Sequence, residues 1–242
     1  MRIRSAVFLA GLTLAAAVSP AQARDIEFAG YTWAVRDGTG GPGPNVWDAA
    51  NVWVAADGLH LRIVYANGSW HCAEVVSKQA LGFGDYQFQL DARPDLFDRN
   101  VVLGFFNYAG PDGINEIDIE FAQWGNAANA GRLNWTVYPA QAGLPVGHTA
   151  LPLQLNGSAT THRFSWTPSE VSYSSFHGWQ TIDSAHAPIA QWRYAPAKAN
   201  GVPQKPLPVH LNLWLDHGAA PVDHQPVEVV VRDFSFVPRQ QP

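Results

Sequence analysis

Short runs of alternating polar and apolar residues, cut apart by glycine and proline, leave this chain few ways to fold. They include "GLHLRIVYA", "GDYQFQLDAR", "VVLGFFNYA", "NEIDIEFA", "GRLNWTVYP", "HRFSWTP", "VSYSSFHG", "VHLNLWLD" and "VEVVVRDFSFV". The runs are rich in β-branched and aromatic residues, the pattern of half-buried strands. Between them lie "GTGGPGP", "GPDG", "AGLP", "NGS" and "GVPQKPLP", all turn-forming clusters. No segment carries a helical period with caps. No internal repeat, low-complexity linker or sharp composition change divides the chain. Many short strands without helices predict an all-β sandwich or barrel. At 242 residues, one sandwich of two large antiparallel sheets is expected, with one outer face curved into a cleft.

The ends and the rare residues narrow the function classes. "MRIR", then the apolar "SAVFLAGLTLAAAVS", then "AQA" ending at Ala23 reads as a secretory signal cleaved after Ala23. The apolar run is short for a membrane span. A single domain over 24–242 is therefore expected, secreted or periplasmic, free of the membrane and monomeric. Formal net charge is −5 and no basic run occurs, so no nucleic-acid footprint is present. Cys72 is the one cysteine, which excludes an intrachain disulfide and suits a small buried hydrophobe. Its neighbour His71 points to the opposite strand face. His210, His217 and His224 recur seven apart, which is no familiar metal spacing, so loop and surface positions are expected for them.

Only 14% of residues are charged, yet "GINEIDIEFAQWG" places Glu116, Asp118 and Glu120 at alternate positions. In a strand all three share one face, and Ile117, Ile119 and Phe121 share the other. Like charges on one face repel. A solvated edge accounts for one or two such acids. A calcium site accounts for clustered carboxylates, but the loop and spacing of an EF-hand are missing. Glycoside hydrolysis by two carboxylates uses the arrangement best: one ionised nucleophile, one protonated acid, and a third group that tunes both. Residues four apart on a flat strand have Cα atoms about 13 Å apart. A retaining pair needs its carboxyls only about 5–5.5 Å apart. Two long glutamates leaning inward on a curved sheet narrow that gap.

"EIDIE" in its hydrophobic frame resembles the catalytic strand of glycoside hydrolase family 16, in the form found in bacterial lichenases and plant xyloglucan endotransglycosylases. "WDAANVWVAADGLHLRI", "CAEVVSKQALGFGDYQFQLDAR", "FFNYAGPDGINEIDIEF", "HRFSWTPSEVSYSSFHG", "LNLWLD" and "VVVRDFSFV" resemble further segments of that family, in its order. The resemblance covers nearly all of the chain after the signal. It implies a concanavalin A-like jelly-roll sandwich with the acids on the concave sheet. It makes Glu116 the nucleophile, Glu120 the general acid/base and Asp118 the assisting acid. The implied activity is endo-acting retaining hydrolysis of β-1,3 or mixed β-1,3/1,4 glucan, with no cofactor required.

A polysaccharide cleft wants aromatic platforms beside a few polar groups. Asn212 and Trp214 share a face of "VHLNLWLD" and match family cleft positions, while Leu211, Leu213 and Leu215 read as core. Trp124 continues the parity of the acids. Phe106 and Tyr108 match cleft aromatics, Asn134 a polar position beside the acids, and Glu74 a glutamate that binds sugar hydroxyls. Gly58 and Asp233 match two positions of a structural calcium seen in some members. Three departures stand out. Val76 replaces an arginine of the lichenases, Ile114 and Asn115 replace a Trp-Asp pair, and Asn45 replaces a disulfide partner of Cys72. They keep open another polymer (galactan, xyloglucan or a bacterial exopolysaccharide), transglycosylation, or a non-catalytic carbohydrate-binding role.

Overall fold

The computed structural model describes residues 24–239. The signal read over 1–23 lies outside the described residues. In chain order the strands are β1 Asp25–Phe28, β2 Tyr31–Val35, β3 Gly38–Gly40, β4 Asn45–Trp47, β5 Val52–Ala55, β6 Gly58–Ala66, β7 Ser69–Leu81, β8 Gly84–Asp91 and β9 Val101–Tyr108. The acidic strand is β10, Glu116–Phe121. After it come β11 Leu133–Tyr138, β12 Gly147–Leu151, β13 Ala159–Trp166, β14 Val171–His177, β15 Ala190–Tyr194, β16 Leu207–Leu215 and β17 Val227–Pro238. The helical elements among the described residues are single 3-10 turns, and none is long and apolar enough to cross a membrane.

Two antiparallel sheets form the sandwich expected from the strand pattern, in the jelly-roll arrangement that the family resemblance implies. The first runs β1-β2-β7-β16-β9-β10-β11-β12. The second runs β5-β6-β17-β8-β13-β14-β15. Strand β7 links them: its start pairs with β6 through a hairpin at Asn67 and Gly68, and its later residues pair with β2 and β16. Both turn residues have positive φ, as a two-residue hairpin requires.

Side-chain alternation sorts each strand between core and cleft. Ile117, Ile119 and Phe121 are fully buried, as are Leu211, Leu213 and Leu215. Phe105 of β9 stacks on Phe88 of β8 across the sandwich, with ring centres 4.9 Å apart. Trp135 faces the core and stacks on Tyr173, whose hydroxyl donates to the Thr136 carbonyl at 2.8 Å. Burying each hydrophobe on the underside of β10 contributes roughly 1.5–3 kcal/mol. That gain offsets part of the cost of the acids on its other face.

Cys72 is buried, and its thiol lies 3.3 Å from Asn45 Oδ1, to which it donates. Burial pushes the Cys72 thiol up to about 12, so it is inert as a nucleophile. His71 turns the other way, toward Asp48 and Ser69. Where the family resemblance places a disulfide, this chain has a hydrogen-bonded hub. Asn45 also donates to the carbonyls of Pro42 at 2.7 Å and Leu215 at 3.0 Å.

Candidate active site

The pairing of β10 with its neighbours sets three rows across one sheet face. Glu116 lies between Tyr108 and Tyr138, Asp118 between Phe106 and Thr136, and Glu120 between Gly104 and Asn134. Directly opposed residues share a face, so the acids meet these groups side by side. The Glu120 row continues through Gly104 to Asn212 and Glu74. Gly104 is required there: a Cβ would lie 2.5 Å from Asn212 Oδ1.

Over this face lies a cavity of about 530 Å³. The three acids line it together with Glu74, Phe106, Tyr108, Trp124, Asn212 and Trp214. Trp124 and Trp214 sit with ring centres 6.2 Å apart and form an aromatic corner. Asn134 differs from expectation. It stands beside Glu120 but is buried, and its Oδ1 accepts from Trp124 Nε1 at 3.2 Å. It holds an aromatic wall and does not line the cavity.

The acids are crowded and poorly hydrated. Burial, then the charge of Asp112, pushes Glu116 up to about 7, against a hydrogen bond with Asp118 that pulls it down. Burial, then the charge of Glu116, pushes Glu120 up to about 8. Asp118 is held well above the carboxylate range by burial and by both glutamates. Its Oδ1 is buried without a hydrogen-bond partner. The three titrate as a coupled set in which burial and mutual repulsion disfavour more than one ionised carboxylate at a time. Burial, then the charges of the acids, also pushes the Tyr138 hydroxyl up to about 12, so it remains a donor beside them. One carboxylate beside protonated carboxyls on one cleft wall suits nucleophilic attack with general-acid assistance.

Arg36, Asp112, Tyr138 and His210 also line the cleft, where the sequence had not placed them. Strand parity was a usable signal for two. Tyr138 shares the face of Asn134 two strand steps on, and His210 shares the face of Asn212 and Trp214. The loop or surface position expected for His210 is corrected: it lies in β16, half-buried, with its ring stacked on Phe106 at 4.7 Å. His217 and His224 are exposed in turns, as expected.

The departures have local accounts. Val76 pairs with His210 in the sheet, and the guanidinium of this region comes from Arg36 at the end of β2. Asn115 is buried with positive φ and donates its N–H to the Pro139 carbonyl at 2.8 Å. It fixes the loop that brings Asp112 and Gly113 to the cavity.

Gly58 opens β6 where it abuts β17; a Cβ on it would lie 2.4 Å from the carbonyl oxygen of Val231, two residues before Asp233 in β17. Calcium takes about six to eight oxygens. Among the described residues no three His, Cys, Asp or Glu side chains group to hold a metal ion.

No family model and no curated protein matches the sequence. Solved structures do match. A prokaryotic β-1,3-1,4-glucanase (lichenase) from a mouse hindgut metagenome is 21% identical, with TM-score 0.63 over 86% of this chain and 93% of that one. The β-glucanase of Bacillus licheniformis is 22% identical, with TM-score 0.62 over 86% and 92%. A laminarinase from Flavobacterium sp. UMI-01 is 10% identical, with TM-score 0.61 over 84% and 92%. At these identities the likeness is one of architecture: the chain has the jelly-roll fold of the glycoside hydrolase family 16 glucanases.

Proposed function

We propose that the protein is a retaining endo-β-glycanase acting on β-1,3 or mixed β-1,3/1,4 glucan outside the cytoplasm. The observation that carries this reading is the row Glu116, Asp118 and Glu120 at the floor of an aromatic-walled cleft, their carboxyls held above the usual range by burial and by charge. Solved structures of this fold include a Bacteroides ovatus family 16 protein in complex with a G4G4G3G product, 15% identical.

In the first step the Glu116 carboxylate attacks the anomeric carbon while Glu120 gives its proton to the departing glycosidic oxygen. The C–O bond breaks and a glycosyl ester forms on Glu116. In the second step Glu120, now ionised, takes a proton from water. The water oxygen attacks the anomeric carbon, and Glu116 leaves as a carboxylate. Asp118 keeps its proton and shares a hydrogen bond with Glu116, which orients the nucleophile and spreads its charge.

The test is to incubate the protein with a panel of β-glucans, galactans and xyloglucan, beside its Glu116→Gln variant, and to follow new oligosaccharides. Cleavage by the parent alone supports the reading, and the polymer cut identifies the substrate. Binding without cleavage by the parent replaces the enzyme reading with a carbohydrate-binding one. Turnover retained by Glu116→Gln removes the nucleophile assignment.

A further inference from the structure

At one side of the cleft, Glu74 is gripped from both ends. Arg36 Nη1 lies 2.5 Å from Oε2, and His210 Nδ1 lies 2.9 Å from Oε1. The Glu74 side chain is only 5% exposed, so little of it remains for a sugar to reach. Arg36 and His210 line the cavity beside it. The guanidinium is itself wedged in place. It packs over the Trp47 ring at 4.3 Å, and Gly40 leaves room for it, since a Cβ there would lie 3.0 Å from Nη2. The His210 ring is fixed between Phe106, stacked at 4.7 Å, and the edge of Tyr108 at 5.9 Å.

This arrangement sets the direction of each hydrogen bond. A carboxylate only accepts, so His210 Nδ1 carries the hydrogen. Nε2 has no partner among the described residues and is left to meet a hydroxyl, which can donate or accept. The guanidinium offers N–H donors beyond the one given to Glu74. We infer that Arg36 and His210, braced by the buried Glu74, form a sugar-binding wall that takes two neighbouring hydroxyls of one pyranose. Arg36 donates to one hydroxyl oxygen, and His210 Nε2 hydrogen-bonds with the other hydroxyl. Glu74 acts through these two as a positioning residue. The inference rests on the glycanase reading above and adds the specificity element to it.

The register places the wall away from the breaking bond. His210 lies two strands from β10 and Glu74 three, at roughly 4.8 Å per strand, or about 10–14 Å from the acids. A group that holds a remote sugar equally in ground state and transition state changes KM and leaves kcat nearly alone.

The experiment uses His210→Phe, which keeps a ring against Phe106 but no nitrogen, and Arg36→Lys, which keeps the charge but loses the fork. Each is assayed on the polysaccharide that the parent cuts, and each is also placed in a Glu116→Gln background for affinity electrophoresis in that polymer. Circular dichroism selects folded variants. The expected result is KM and Kd raised about tenfold, a charge-assisted hydrogen bond lost from binding, with kcat within about twofold. Unchanged KM and Kd in either folded variant overturn the wall, as does a fall in kcat alone. A parent that neither cuts nor binds any polymer overturns the glycanase reading and the wall together, an outcome distinct from a cutting parent with indifferent variants.

Discussion

Replacing Glu120 by glutamine should stabilise the protein in alkali while disabling it. Folding raises Glu120 from its ordinary 4.5 to about 8, chiefly by burial. A folded-state value above the unfolded one means that the folded protein binds the extra proton between those two pH values. Stability then falls as pH rises from about 4.5 to about 8, and levels off above. At about 1.4 kcal/mol per pKa unit the penalty reaches about 5 kcal/mol in alkali. Glutamine carries no such penalty, but its buried amide needs partners, and a lost or poor hydrogen bond costs about 1–3 kcal/mol. The net gain should be about 2–4 kcal/mol at pH 9, turning to a net loss of about 1–3 kcal/mol at pH 4.5, where the carboxyl carries almost no penalty. For a domain of this size each kcal/mol moves Tm by about 2–4 °C. Calorimetry at pH 4.5, 7 and 9 should therefore show the variant melting roughly 2–12 °C below the parent in acid. At pH 9 the variant should melt roughly 4–16 °C higher. Equal melting temperatures at pH 9, or a difference independent of pH, would mean that Glu120 is not the strained carboxyl described here.

Three further outcomes follow from the same geometry. The pH–rate profile for kcat/KM should be a narrow bell with limbs near 7 and 8, because Glu116 must be ionised and Glu120 protonated; stopped assays across pH 4–10 check this. Glu120→Gln should lose about a hundredfold or more on polysaccharide but far less on an aryl glycoside with an activated leaving group, a contrast read from paired kcat/KM values. Asn45→Ala removes the bonds to Cys72, Pro42 and Leu215 and should lower stability by about 1–3 kcal/mol in urea titration, with KM raised because Pro42 lines the cleft.

Those acids show what a sequence discloses. Alternation with period two is a backbone property, so the sharing of one face by Glu116, Asp118 and Glu120 followed from their spacing alone. The same rule separated Asn212 and Trp214 from the leucines of β16. The sandwich was legible because nearly every strand carries this pattern and no segment competes with a helical one. Parity fails where the backbone leaves the extended form. Trp124 follows the end of β10 with φ of 53°, and it reaches the cleft through a turn and a bond to Asn134.

Contacts between strands distant in sequence are a different matter. Arg36, Glu74 and His210 come from three strands or their ends, 38 and 136 residues apart from Glu74 on either side. Nothing local to any of them signals the others, because their meeting depends on the order β2-β7-β16 in the sheet and on register. A glutamate read alone looks like a solvated surface residue. Placed between a guanidinium and an imidazole on neighbouring strands, it becomes a buried brace. The same order makes Val76 intelligible: its strand lies between β2 and β16, so a guanidinium from the end of β2 serves the region without one at position 76. A charge needed at a point in space is supplied by whichever strand passes there. Sequence position is therefore a poor guide to the remote walls of a cleft, and a good one to the single strand that carries its acids.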